Sequence, residues 1–496
     1  MDLPEWFNIK KYPHIGIRPS KKDYNWMIDY ITNPDKIIHH PFLPLIRRSV
    51  WVHRTKIDSC TGKKKWKERK LTYASHFDAQ IYSYYAFMLQ SKYDDMIKKE
   101  GLNEVAIAYR KIPTEETKNN KCNIHFAYDT FNFVKDKLKI GNDLAFITFD
   151  ITGFFDNLDH KKLKSSWAKV LEKNNLPDDV YAVYKNVTKF SFVKEGPLFS
   201  LFKNKILCEC KYKTKKHKKK KGRIKIKKRK ISSRRFLREH YAIAFCRKSD
   251  LKTIRQHNLI ERDLDSDHKG IPQGLPISAV LANVYMLDFD ITVNKKIVEV
   301  GGLYKRYSDD IVVVCPYSTK EMVKQLILDE IKEVKLEIEK SKTNTFKISK
   351  DIDGNVSCIY EPEEDGSLKQ KEIEYLGFSF DGNRILIKKA GLCKYYTKMR
   401  KDIGRHGHWA INIKNKTKGN VFVNQIVRRF TLAGSSSFKK KDKKGNIRIK
   451  HGNFLTYVKK ASEIMKEPAI IAQMSKNLNK VNTAIENLKK RVTTKK

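Results

Sequence analysis

The spacing of apolar residues along the chain predicts helices that alternate with short buried strands. A helix is predicted after Asn123, because apolar residues recur at three- and four-residue steps as far as Leu138. The apolar run 144–149 is bounded by turn residues and predicts a buried strand. Further helices are predicted over 78–98 and from His160 onward. Helices and strands mixed in this way indicate an α+β protein.

The segment 211–238 follows a different pattern, in which basic residues alternate with apolar or aromatic ones. The stretches 211–213 and 223–227 both alternate with a period of two, which predicts two basic strands around a turn near Gly222. A solvated loop without regular structure fits the same residues equally well. In either case the segment adds strong positive charge.

The second half of the chain contains a β-rich section and then a basic helical one. Beyond Lys269 the pattern is loop, helix, strand, turn, strand, helix and strand. Asp-Gly pairs at 353–354, 365–366 and 381–382 predict tight turns. From about Ala390 onward, Lys and Arg alternate with helical patterning.

Charge is the feature of the composition that most limits the function. The chain has 103 Lys and Arg against 56 Asp and Glu, a formal net charge of +47. Such an excess repels itself unless a polyanion neutralises it, and nucleic acid is the usual partner. A membrane surface fits poorly, because the basic residues are spread along the chain and no apolar run approaches the ~18 residues of a membrane span.

The eight cysteines show no C-x-x-C pair, so neither a zinc ribbon nor a disulfide framework is predicted. Cys208, Cys210 and His217 are a weak candidate for a metal site, and free thiols are the preferred interpretation. The N-terminus carries acids and no apolar core of a signal peptide. We therefore expect a cytoplasmic protein with reduced thiols.

Carboxylates in two segments are the strongest candidates for chemistry. Asp150 ends a predicted strand and precedes a glycine turn, where it would hold a divalent cation or only cap a helix. Asp309 and Asp310 are adjacent and repel each other, and four aliphatic residues follow them. A simple turn explains such a pair, but a rigid buried hairpin suits metal ligands better.

A third segment, 270–278, is a Gly/Pro turn that leads into a predicted helix. Backbone can approach a ligand closely at Gly274, because glycine has no side chain. Taken alone, the segment is also compatible with an ordinary loop followed by a helix cap.

In this order, these segments resemble the motifs of the reverse transcriptase family over about 105–389. The matching stretches are FDITGFFDNLDH at 149–160, GIPQGLPISAVLANVYMLDFD at 270–290, YSDD at 307–310, LEIEKSKT at 336–343, and YLGF with FDGNR at 375–384. Tyr109-Arg110 and 121–136 resemble the abortive-infection and defence-associated bacterial branch. Leu275 departs from the serine of many bacterial relatives, and no signatures of a C-terminal endonuclease, an RNase H domain or a retron enzyme are evident.

The resemblance implies a right-hand polymerase with fingers, an antiparallel palm sheet with helices on one face, and a helical thumb. Residues 1–105 would form an N-terminal helical extension. The fingers would span 106–269 and include the first palm motif (144–160) and the basic insertion (211–238). The palm would follow at 270–389, and the thumb or C-terminal domain at 390–496.

The resemblance also implies RNA-directed DNA polymerase activity, in which a primer hydroxyl attacks a dNTP. Asp150, Asp309 and Asp310 would be the catalytic acids. Together with the carbonyl of Ile151 they would bind two Mg²⁺ ions, with Mn²⁺ as a substitute.

Other residues would bind the incoming nucleotide if the resemblance holds. Phe155 would pack against the sugar and exclude a 2′-hydroxyl, although a core phenylalanine is the default interpretation. Gln273 and Gly274 would position the nucleotide, and Lys342 would approach the leaving pyrophosphate, unless it is only a surface lysine. The triphosphate ligands in the fingers would be Arg110 and Lys121.

The predicted partners are an RNA template, taken to be a structured non-coding RNA, the DNA product and dNTPs. A homo-oligomer is left open, as is priming from a tyrosine. A role in antiphage defence follows from the resemblance alone. The residues expected to contact nucleic acid are Lys218, Lys219, Lys220, Arg223, Lys227, Arg229, Arg234 and Arg235.

Two other functions compete with this one. A maturase-like or scaffold protein would bind RNA and make little DNA, but the intact set of acids argues against it. An RNA-dependent RNA polymerase must accept a ribose, and the bulky Phe155 argues against that.

Overall fold

A computed structural model of the chain describes residues 3–57, 64–114, 119–141, 143–211, 224–262, 268–362, 368–411, 421–436, 438–441, 447–450 and 452–494. Its helices are α1 (Tyr24–Ile31), α2 (Pro34–Ile38), α3 (His76–Lys99), α4 (Asn123–Lys139), α5 (His160–Val170), α6 (Asp178–Thr188), α7 (Glu195–Phe202), α8 (Leu251–Gln256), α9 (Ser278–Tyr285), α10 (Leu287–Glu299), α11 (Lys320–Glu333), α12 (Lys389–Ile411), α13 (Val423–Phe430), α14 (Phe454–Ile464), α15 (Ala469–Ala472) and α16 (Asn477–Thr494).

The strands complete a mixed α+β fold, which confirms the predicted fold class. They are β1 (His14–Ile15), β2 (Leu45–Ile57), β3 (Lys64–Tyr73), β4 (Leu144–Asp150), β5 (Ser191–Lys194), β6 (Ile206–Lys211), β7 (Ile224–Arg229), β8 (Ala242–Cys246), β9 (Ile260–Arg262), β10 (Leu303–Tyr307), β11 (Asp310–Pro316), β12 (Asn344–Lys350), β13 (Val356–Glu361), β14 (Lys369–Gln370), β15 (Ile373–Tyr375), β16 (Phe378–Phe380), β17 (Ile385–Ile387), β18 (Phe438–Lys441) and β19 (Ile447–Lys450).

The elements that the periodicity predicted are present at nearly the predicted bounds. Helix α3 begins where the side chain of Ser75 accepts a hydrogen bond from the backbone of Asp78. Helix α5 begins in the same way, with Asp159 accepting from the backbone of Lys162. Strand β4 is buried along most of its length, as the apolar run indicated.

The largest sheet, in the part of the chain predicted to form the palm, has six strands in the order β10-β11-β4-β12-β13-β14. Its pairings are antiparallel, as predicted. Side chains alternate along β4, so that Phe149 packs in the cluster with α9 to α11 while Phe146 packs with α4 and the C-terminal helices. Both faces of the sheet are therefore covered, and the prediction of helices on one face is wrong.

The N-terminal segment contains the predicted helices and also strands that were not predicted. Strand β1 pairs with β8, and the hairpin β2–β3 joins β5 and β9 in a second sheet of order β3-β2-β5-β9. Strand pairing thus joins the first hundred residues to strands β5, β8 and β9 of the segment that was predicted to form the fingers.

Of the two predicted basic strands, the second is present as β7, which pairs antiparallel with β6. The first, predicted at 211–213, lies outside the described residues except for Lys211, the last residue of β6. The turn near Gly222 lies outside the described residues, as does the Asp-Gly pair at 365–366. The C-terminal part is mainly helical, with α12 packed on α16. Within the described ranges, no helix is both long enough and apolar enough to cross a membrane.

Candidate active site

A two-residue turn between β10 and β11 presents the paired acids. Tyr307 and Asp310 are cross-strand partners, so Ser308 and Asp309 form the turn. Ser308 has a φ of +63°, a conformation that costs free energy for a residue other than glycine. Its carbonyl accepts a hydrogen bond from Arg306 at 3.1 Å, and the hydroxyl of Tyr109 lies 3.3 Å from its Oγ. These contacts hold the turn in one conformation.

The three acids converge at the ends of neighbouring strands. Asp310 on β11 pairs with Asp150 on β4, and the backbone N–H of Ile151 donates to the carbonyl of Asp309 at 3.1 Å. The chain thus brings together carboxylates that lie about 160 residues apart in sequence, as the motif order led us to expect. Their catalytic role remains a prediction.

The surroundings of Asp310 raise the pKa of its carboxyl group. Burial of its carboxyl group, followed by repulsion from Asp309 and Asp150, raises the pKa from 3.8 to about 6. Lys342 and Lys388 offset part of this rise. The side chain nevertheless keeps contact with solvent. The neighbouring acids repel the charged form of Asp310, and a bound cation would relieve that repulsion.

Lys342 lies beside one of the three acids. Its ammonium group contacts the carboxylate of Asp150. The segment that carries it is fixed to the end of β4, because Thr152 donates to the carbonyl of Glu337 and Glu339 donates to that of Asp150, each at 2.8 Å. The predicted contact of Lys342 with pyrophosphate stays a prediction.

The donor atoms at the site suit a hard cation such as Mg²⁺, although a complete cage is not preformed. The carboxylates and the Ile151 carbonyl are the oxygen ligands that Mg²⁺ prefers. Among the described residues, no three His, Cys, Asp or Glu side chains lie close enough together to hold a metal ion. Asp150 instead pairs with Lys342, so metal binding would require that lysine to move aside.

The raised pKa of Asp310 predicts a stability that falls with pH. The folded protein binds this proton between about pH 4 and pH 6, where the unfolded chain has released it. Stability therefore falls as the pH rises through this range. We expect Asp310→Asn to remove this dependence, so that the variant melts higher than the wild type above pH 6 and equally below pH 4.

Thermal melting in a buffer with chelator measures this effect. Asp329→Asn is the control, because Asp329 is an exposed acid on α11 and should leave the pH slope unchanged. Equal slopes for Asp310→Asn and the wild type would contradict the prediction.

The loop of the second motif is packed against strand β3. Gly274 has a φ of +113°, and a Cβ there would lie 2.5 Å from the carbonyl oxygen of Thr72. The N–H and Oγ1 of Thr72 both donate to the carbonyl of Gln273, at 2.8 and 3.1 Å. The close approach at Gly274 is therefore made to strand β3 of the same chain, and its contact with a nucleotide stays a prediction. Gln273 itself is half-buried beside it.

Phe155 belongs to the first motif and contacts the second. Its side chain is half-buried against the core, with its ring centroid 5.5 Å from that of Phe154. Its carbonyl accepts from the N–H of Ile271 at 2.8 Å, which joins the two motif loops. A position that is neither core nor surface is compatible with the predicted contact with a sugar.

Arg110 has a structural role rather than the predicted triphosphate contact. Its guanidinium donates to Asp94 at 2.8 Å and to the carbonyl of Asn103 at 2.6 Å, and its side chain is only 4% exposed. Lys121 lies 3.2 Å from both Glu104 and Asp129. Because acids of the fold already hold both cations, we do not carry these two residues into the proposed site.

The basic residues of the fingers are only partly described. Lys227 and Arg229 are exposed on β7, and Arg229 also donates to the sulfur of Cys210 at 3.2 Å. Arg234 pairs with Glu195 at 3.1 Å, and Arg235 is exposed. The remaining predicted contacts lie outside the described residues, together with His217 of the weak metal candidate: Lys218, Lys219, Lys220 and Arg223.

A buried ion pair beneath the catalytic turn was missed by the sequence analysis. Arg306 is fully buried, and its Nε and Nη2 donate to the two carboxylate oxygens of Asp290 at 2.8 and 2.5 Å. The hydroxyl of Tyr304 donates to the same carboxylate at 2.7 Å. The available signal was a charged residue at a strand position just before the paired acids.

Comparison with known proteins identifies part of the chain. Residues 231–380 match the family model described as reverse transcriptase (RNA-dependent DNA polymerase). The match contains Asp309, Asp310, the second motif and Lys342, and it begins after Asp150. No curated protein matches the chain.

Among solved structures, apo telomerase from Candida tropicalis truncated from its C-terminal domain is 12% identical, with a TM-score of 0.36 over 73% of this chain and 59% of that one. Telomerase from Candida albicans in complex with a TWJ fragment of telomeric RNA is 11% identical, with a TM-score of 0.34 over 76% of this chain and 54% of that one. This chain spans little more than half of these telomerase chains, and similarity at this level bears no weight for function. The family match therefore carries the identification: the chain contains a reverse transcriptase domain at residues 231–380.

Proposed function

We propose that this protein is an RNA-directed DNA polymerase that copies an RNA template into DNA from dNTPs. The observation that carries the proposal is the convergence of Asp150, Asp309 and Asp310 at the ends of β4 and β11, beside a family match to reverse transcriptases. A surface turn would not need three carboxylates at one place, where burial and then repulsion from Asp309 and Asp150 raise the pKa of Asp310 to about 6.

Each residue at this site would have its own role in phosphoryl transfer. Asp150, Asp309 and the Ile151 carbonyl would hold two Mg²⁺ ions, or Mn²⁺ in their place, with Asp310 as a supporting charge. Ions bound there supply stabilisation of charge on the attacking and leaving oxygens. Lys342, once released from Asp150, would lie next to the leaving pyrophosphate and neutralise charge there.

The nucleotide would lie between the acids and the second motif. Phe155 would face the sugar, and Gln273 would position the nucleotide, because its backbone is fixed to Thr72 of the fingers. This contact ties the loop to strand β3, so that movement of the fingers would be transmitted to the nucleotide.

The high positive charge supports a long-lived complex with nucleic acid. We propose that the partner is a structured non-coding RNA, held in part by Lys227, Arg229, Arg234 and Arg235. An antiphage role follows from the resemblance to defence-associated enzymes, and a cytoplasmic location from the predicted reduced thiols, while assembly into a homo-oligomer stays open.

Template-directed synthesis by the purified protein tests the proposal. The assay supplies Mg²⁺, labelled dNTPs and an RNA template with an annealed DNA primer, and compares them with the same reaction containing rNTPs. Incorporation of dNTPs that depends on the RNA sequence supports the proposal. Co-purified RNA without incorporation would favour the alternative, a maturase-like or scaffold protein.

Substitution of Phe155 tests the choice of sugar. We expect Phe155→Ala to raise rNTP incorporation relative to dNTP by roughly 10-fold or more, because the space that excludes a 2′-hydroxyl opens. Phe155→Tyr is the matched control, since it keeps the ring and should keep the discrimination. The ratio of kcat/KM for the two nucleotides measures the effect, and an unchanged ratio in Phe155→Ala would assign the residue to the core.

A further inference from the structure

Two tryptophans in the fingers are unusually exposed. Trp51 on β2 is 60% exposed and Trp66 on β3 is 58% exposed. Tryptophan is usually well buried, because its large apolar ring gains most from leaving water. Two such rings on one hairpin therefore suggest a surface that meets a partner.

The strand register places the two rings side by side. Trp51 lies opposite Glu68, and Trp66 lies opposite His53. Residues that face each other across two strands point to the same face, and so do residues two apart on one strand. Trp51 and Trp66 are therefore diagonal neighbours on one face of the hairpin, a separation of about 7–8 Å between backbones.

The hairpin around these rings is strongly basic. Glu68 is the acid in the described stretches 45–51 and 66–73, and it lies between the two tryptophans. The basic residues of the same stretches divide between the two faces of the hairpin. Arg47 and Lys70 lie on the face of the two tryptophans, and Arg48, Lys67 and Arg69 lie on the opposite face. The side chains from Lys67 to Lys70 are exposed. Charge of this sign attracts a polyanion and disfavours a typical protein interface, in which lysine is depleted.

The base of the hairpin is firmly anchored. Strand β2 pairs in parallel with β5, and the guanidinium of Arg47 lies 3.5 Å from the ring centroid of Phe192. At the end of β3, Thr72 is hydrogen-bonded to Gln273 of the second motif. The two rings thus lie on a hairpin that is anchored at its base and is hydrogen-bonded to the second motif of the candidate active site.

We propose that Trp51 and Trp66 form a stacking platform for the unpaired bases of a single-stranded nucleic acid. Aromatic rings interleaved with basic side chains hold single strands in many proteins, because every base offers a flat face and every linkage a negative charge. The inference deepens the proposed function and rests on it for the role of the strand, which would be a template held before it is copied.

Binding of short labelled oligonucleotides to the full-length protein tests the platform without any synthesis. Oligouridine, oligothymidine and a duplex are compared by fluorescence anisotropy, with neither dNTPs nor divalent ions present. We expect Trp51→Ala and Trp66→Ala each to weaken single-strand binding by roughly 5- to 100-fold and to change duplex binding little. The dependence of affinity on salt should stay the same, because no charge is removed. The oligouridine and oligothymidine measurements decide whether RNA or DNA is preferred.

Two controls make the result specific. Trp26→Ala removes a tryptophan that is also 58% exposed but lies on α1, and it should bind like the wild type. Trp51→Phe keeps a ring and should retain most of the affinity. Wild-type affinity for single strands in both alanine variants would overturn the platform. A change in the molecular mass of these variants, measured by light scattering, without a loss of binding would overturn it as well. If the wild type incorporates dNTPs and the alanine variants bind single strands normally, only the platform is contradicted. If the wild type neither binds single strands nor incorporates dNTPs, both proposals are contradicted.

Discussion

Asp309→Ala is expected to abolish template-directed dNTP incorporation while leaving the protein folded. The loss should be on the order of 10³-fold or more, since a missing metal ligand removes several kcal/mol of stabilisation from the transition state. The fold should not suffer, because Asp309 is one of the two acids that raise the pKa of Asp310, so its removal relieves repulsion. The melting temperature without metal should therefore equal or exceed that of the wild type.

The control for this result is the substitution of a carboxylate that lies in the same domain but away from the turn. Asp329→Ala removes an exposed acid on α11 and should leave incorporation within a factor of about two, as surface changes usually do. Asp150→Ala should behave like Asp309→Ala, since both acids are proposed to hold the same ions. Near-normal incorporation by Asp309→Ala would remove the basis of the proposed mechanism.

The parts of this site that follow from local pattern could be predicted from the sequence. A run of apolar residues is sufficient to predict β4, and the aliphatic residues after Asp310 are sufficient to predict β11. The approach of Asp150 to Asp310 is not a local property, because it depends on which strands pair. Only the order of motifs shared with a known family led to that expectation.

Other features depend on contacts that no periodicity encodes. Gly274 approaches Thr72, and the neighbouring Gln273 is 201 residues from Thr72 in the sequence, so this contact could not be predicted from local pattern. Arg110 has the charge of a triphosphate ligand, but its partners Asp94 and Asn103 are revealed by packing. The charge of a side chain limits which groups it is able to bind, and the fold determines which of those groups lie within its reach.

The buried pair Arg306–Asp290 should contribute the largest single effect on stability. We expect Asp290→Asn to lower the free energy of unfolding by about 3–5 kcal/mol, because it leaves the fully buried guanidinium without a compensating charge. The same substitution should slow incorporation, since Arg306 also holds the carbonyl of Ser308 in the catalytic turn. Urea unfolding followed by tryptophan fluorescence measures the first effect, and the labelled-dNTP assay measures the second.

Asp288→Asn on the same helix is the matched control for this prediction. Asp288 also pairs with lysines, at 2.5 Å from Lys169 and 3.9 Å from Lys162, but its side chain is 42% exposed. Water screens such a pair, so its loss should cost no more than about 1 kcal/mol. Because the two substitutions are chemically identical and two residues apart, the difference between them isolates burial as the cause. Equal losses from both variants would mean that Arg306 does not depend on Asp290 and that the turn is held by its backbone alone.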